Sequence, residues 1–131
     1  MLDEKPFAAK HRAVVSHDSA AAAYALGVAN PARVHLTVPP EFRMADPVVV
    51  LHHRLLPETD LTVLDGASIT SVPRTVLDTI DSHVDEELIE SVVADALATG
   101  AVTRARLESR LYELDDAAKA RAERVLSTIG S

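Results

Sequence analysis

The sequence predicts a small α/β (or α+β) domain: a sheet of about four strands, preceded by one helix and followed by about four more. Three observations carry this. Between Arg33 and Thr70 the apolar residues alternate or run in short β-branched stretches. After Val72 they recur at helical spacing. Between these halves, Ile69-Thr70-Ser71-Val72-Pro73 reads as a strand end turning directly into a helix. Ser71 suits an N-cap and Pro73 a first helical turn, where the missing N–H has no partner to lose.

Met1 to Arg12 shows no apolar period and reads as a loose arm or short helix end. Ala13, Val14 and Val15 lead to Ser16-His17-Asp18-Ser19, which opens a helix. Ser16 can cap it, and Asp18 suits the positive end of the helix dipole. Ala20 to Leu26 continue it and Gly27 stops it. Asn30-Pro31 is a turn. Arg33 to Val38 alternates, with Val34, Leu36 and Val38 on one face and Arg33, His35 and Thr37 on the other, as in a half-buried strand. Pro39-Pro40 ends it, and Glu41 to Pro47 is a loop. The unbroken run Val48–His53 predicts a central strand. Leu61–Leu64 and Ala67–Thr70 flank Asp65-Gly66, the dipeptide of a two-residue hairpin.

In the helix from Ser71, Val72, Val76 and Ile80 line one face, with Leu77 and Val84 beside them. Asp78 and Asp81 are expected on the solvent side. This face is expected to pack on the sheet containing Val48–Leu51. Asp85-Glu86-Glu87 opens a further helix that Gly100 closes. Thr103 caps a helix over Arg104 to Tyr112, and Asp115-Asp116 starts the last one. No repeat, low-complexity tract or linker divides residues 1–131, which read as a single domain.

Composition narrows the function. There is no Cys, which excludes disulfides and thiolate metal sites. The aromatics are few, which opposes a base-stacking platform. The net charge of −7 opposes autonomous nucleic-acid binding, which needs clustered Lys and Arg. No stretch resembles a signal peptide or approaches the ~20 apolar residues of a membrane span, so a cytoplasmic protein is expected.

No catalytic, cofactor or metal residues are expected. Ser16-His17-Asp18 contains the letters of a triad, but triads are recognised by geometry, and capping explains these residues. His52-His53 point to opposite faces of a strand. His35 and His52 could meet across paired strands, although outward polar positions explain them too. A small nuclease is weakened by the lack of acids in Arg33–Val38 and Val48–His53. Between Arg74 and Arg104 there is no Lys or Arg, while Asp78, Asp81, Asp85, Glu86, Glu87, Glu90 and Asp95 lie there. Charge runs are usually solvated faces. The sharper reading is an acidic surface for a basic partner, with Asp81, Asp85, Glu86, Glu87 and Glu90 as the contact candidates. Arg104, Arg106 and Arg110 after Gly100 superficially copy a helix-turn-helix, diluted by Glu108 and Glu113.

Taken together, Val15-Ser16-His17-Asp18-Ser19-Ala20, Val34-His35-Leu36-Thr37-Val38-Pro39, Val50-Leu51-His52 and Thr70–Asp78 resemble the AbiEi family of antitoxins. The resemblance spans roughly Ala13 to Leu111. It implies a cytoplasmic protein that neutralises a co-expressed nucleotidyltransferase toxin, most simply by binding it. Family members typically carry a winged-helix domain before the first motif. Only Met1 to Arg12 precedes it here, so the resemblance implies a short form with the antitoxin role rather than the promoter-binding one. The alternatives are a DNA-binding autorepressor of its operon and an enzyme-like antitoxin that promotes modification of the toxin.

Overall fold

The structure is a computed structural model and describes residues 13–27 and 30–130. The arm expected over Met1 to Arg12 lies outside the described residues. The chain forms a mixed five-stranded sheet with strand order β3-β2-β1-β5-β4. The strands are β1 (Val14–Val15), β2 (Val34–Val38), β3 (Val49–His53), β4 (Leu61–Leu64) and β5 (Ala67–Thr70). β1 pairs antiparallel with β2 and parallel with β5; β2 and β3 are parallel, and β4 and β5 antiparallel. The helices are α1 (His17–Ala23), α2 (Val72–Ser82), α3 (Glu86–Thr99), α4 (Arg104–Glu108) and α5 (Asp116–Ile129), with short 3-10 turns at Glu58–Asp60 and Leu111–Glu113.

The local signals that position these elements act as expected. Asp65 and Gly66 both take positive φ, 52° and 83°, the geometry of a two-residue hairpin turn that matches strand twist. Ser71, Asp85, Thr103 and Asp115 each cap the helix that follows through the side-chain oxygen. Gly100 closes α3 at φ 79°. Gly27 is also required: at φ +63° a Cβ there would meet Ser91 Oγ at 2.6 Å.

Four expectations are corrected. First, the sheet gains a fifth strand, β1, which is only two residues long yet sits at its centre. Second, β3 is an edge strand, not a central one. Its apolar run is half-buried, and Val48 beside it is 56% exposed. Third, Val76 and Ile80 are fully buried in a cluster built from helices and their connections, among them Ala21, Leu26, Ile89, Val93, Ala122 and Val125, rather than against Val48–Leu51. Val84 lies past the end of α2 and is exposed. Fourth, α4 ends at Glu108 instead of Tyr112, and a 3-10 turn follows.

α2 is the axis of the fold. Every residue from Arg74 to Ile80 is buried, so the helix is enclosed on its polar side as well. The hydroxyls there are satisfied internally. Thr75 donates to the carbonyl of Ser71 and meets the Thr70 hydroxyl at 2.8 Å, and Thr79 donates to the carbonyl of Thr75. A threonine that returns its hydrogen bond to its own helix can be buried without leaving a polar group unpaired.

Candidate functional site

Four separated segments bring their polar side chains together where α1 and α2 meet the sheet. They are Ser16 and His17 at the start of α1, His35 and Thr37 on β2, His52 on β3 with Arg54 after it, and Arg74 and Asp78 on α2. Apart from Arg54, these residues lie in the four sequence stretches quoted above.

Ser16 occupies the N-cap position of α1, but its side chain makes no cap hydrogen bond. It is fully buried, accepts from Thr37 Oγ1 at 2.7 Å and is bonded to His17 Nδ1 at 2.8 Å. The direction of the Ser16–His17 bond follows the His17 tautomer: the serine donates if Nε2 carries the ring proton and accepts if Nδ1 does. The His17 and His52 rings stack at 3.5 Å with 10° between planes. His35 Nδ1 lies 3.0 Å from His52 Nε2. So His35 and His52 do meet, and His17, which the sequence did not connect to them, completes the stack. Burial, followed by the neighbouring imidazoles and then Arg74 and Arg54, pushes His17 down to about 3. Burial is also the main cause lowering His35 and His52. His17 takes φ 53°, in the left-handed region a side chain rarely adopts, so it is held there by its surroundings.

Asp78, expected at the surface, is 3% exposed. Its carboxylate lies 3.1 Å from Arg74 Nε, 3.9 Å from Arg54 and 4.0 Å from His17 Nδ1. Burial raises Asp78 to about 6, against the opposing pull of Arg74 and Arg54. Arg74 is itself 1% exposed and also contacts Asp60 at 3.5 Å and Glu113 at 2.9 Å. Arg110 completes this second network: two parallel bonds of 2.9 Å to Asp60, and bonds of 2.7 Å and 3.3 Å to Glu113. The hydrogen bonds that Arg110 donates to Asp60 and Glu113 raise its pKa further.

This geometry is not a nucleophile relay. Ser16 has no exposed surface for a substrate to reach. The same imidazole nitrogen faces both Ser16 and Asp78, whereas a base needs one nitrogen for each. Among the described residues, no group of three or more His, Cys, Asp or Glu could hold a metal ion. An open groove of about 850 Å³ passes Pro73, Val102 and Tyr112. Its lining sets Arg106 and Arg110 against Asp60 and Glu113 and so favours no one sign of charge.

The acidic stretch is thinner than its sequence. Asp78 is buried, Asp95 accepts from the Gly27 amide at 2.6 Å, and Glu86 is paired with Arg124 at 2.7 Å. Asp81, Asp85 and Glu87 remain exposed and Glu90 half-exposed, none of them paired with a cation among the described residues. Within them stands Val84, 79% exposed. The arginines of the helix-turn-helix likeness are mostly engaged. Arg104 binds Glu108 and the Gly130 carbonyl, and Arg110 turns inward, which leaves Arg106 on a five-residue helix.

No protein-family model matches the chain, and no curated protein is significantly similar to it. No helix among the described residues is long and apolar enough to cross a membrane.

Proposed function

We propose that the protein is an antitoxin that neutralises a nucleotidyltransferase toxin by binding it directly, using the corner between α2 and α3. The observation that carries this is an exposed valine, Val84, set in the chain among Asp81, Asp85, Glu87 and Glu90, whose carboxylates have no cation partner among the described residues. A toxin that modifies tRNA needs a basic face. Opposite charge speeds encounter with such a face, and an apolar anchor slows dissociation. The resemblance to AbiEi antitoxins supports the same reading, as does the engagement of the buried polar residues around α2 in internal hydrogen bonds. Glu86 is removed from the contact set because Arg124 occupies it.

Reversing Asp81, Glu87 and Glu90 to Lys is expected to slow association with the toxin by about tenfold or more at low salt, and less as salt screens the charges. Circular dichroism should match the parent, because exposed helix charges contribute only tenths of a kcal/mol each. Association rate measured against ionic strength reads this out. A triple variant that associates like the parent assigns these acids to solvation alone.

The DNA-binding alternative has its own expected result: no measurable affinity for a random duplex at ~0.15 M salt. A salt-sensitive gel shift in the micromolar range would restore the autorepressor reading.

A further inference from the structure

We propose that the imidazole stack of His17, His52 and His35 is a proton-operated latch that seats α1 on the sheet when neutral and releases it on acidification. The stack joins the first residue of α1 to β2 and β3, so α1 cannot move without breaking it. The contact between His35 Nδ1 and His52 Nε2 at 3.0 Å needs one N–H and one lone pair. Two imidazoliums cannot make it. A charge on His17 would face His52 at 3.5 Å between ring centres, with Arg54 and Arg74 adding to the repulsion.

The acids that face the stack do not offset this. Asp78 is the carboxylate nearest His17, and it takes up its own proton near pH 6. Asp18 favours the charged forms of His35 and His52, but for each of them burial outweighs it. Asp18 is also committed to His83 Nε2 at 2.7 Å, a second tie on α1. Arg33 and His83 add positive charge around His35, and His53 adds it around His52. Asp81 acts on Asp78 by raising it further.

The sign follows. With α1 seated, His17 stays neutral down to about 3; released, it returns toward 6.5. Between those values the open form binds a proton that the seated form refuses, so falling pH favours opening. α1 is only seven residues long and begins at a positive-φ histidine, so it has little stability of its own once unseated.

Hydrogen exchange of the full chain between pH 7.5 and pH 5 tests this, with rates corrected for intrinsic exchange. Protection of the α1 amides should fall as pH drops below ~6, by about tenfold per pH unit for each net proton taken up on opening. Protection in α3 and α5 should stay constant. His52→Gln should flatten the α1 response. NMR titration of the parent's imidazoles gives a reading that does not depend on the variant folding: His17 should gain its proton together with the shifts of the α1 amides. Constant α1 protection, equal loss in α1, α3 and α5, or a His17 that titrates near its ordinary value with α1 unmoved would each overturn the latch.

Discussion

Replacing Arg74 with methionine is expected to destabilise the protein by about 3–5 kcal/mol at neutral pH, the usual loss when one partner of a buried ion pair is removed. Arg74 lies between Asp60, Asp78 and Glu113, and the two aspartates are 2% and 3% exposed. Methionine fills much of the volume but leaves Asp78 without its strongest cation. Asp60 keeps Arg110, so the damage concentrates at Asp78. Burial already lifts Asp78 to about 6, and loss of Arg74 lifts it further. The variant can therefore relieve the buried charge by protonation. A group whose folded pKa is raised gives stability at low pH and loses it as pH rises through that value. The gap between variant and parent should accordingly be smaller at pH 5 than at pH 7.5. Urea unfolding at both values measures it. A gap independent of pH would mean that Asp78 is not the uncompensated group.

Val76→Asp is expected to cost about 3 kcal/mol or more, because it puts an unpaired carboxylate into an apolar site. Val76 is fully buried within the helical cluster, together with Leu77, Ile80 and Ile89. The side chains of that cluster are all apolar. Asp78, two residues on, shows what a buried acid in this helix requires: an arginine one turn away. Thermal melting of the variant checks this, and a midpoint equal to the parent's would place Val76 outside the core.

The parts of the fold that were legible in the sequence depend on residues close together in the chain. Ser71, Asp85, Thr103 and Asp115 each act within three residues, and Asp65-Gly66 turns within its own dipeptide. What was not legible depends on distant partners. β1 has two residues, too few to show a period, and its place at the centre is set by pairing with Thr37 and Ile69. β3 reads as central because it is apolar, but nothing local to it says that, among the described residues, no strand lies beyond. Ser16 has the composition of a cap, yet Thr37 claims its oxygen from β2. Asp78 carried the one local hint: an oppositely charged Arg74 four residues before it, on a helix with an apolar face. That spacing would have marked both as a pair, though their burial comes from Asp60, Arg54 and His17, which sequence spacing does not connect. Arg110 is the same case: its fork matches the Asp60 carboxylate fifty residues away, which turned a supposed DNA-facing cation inward.

The central claim is direct neutralisation, and co-expression with the toxin, followed by purification and mass measurement, tests it most directly. The account predicts a complex of fixed stoichiometry that survives gel filtration, together with restored growth of cells expressing the toxin. Restored growth with no complex at any salt concentration would contradict it and move the mechanism to modification of the toxin or protection of its target.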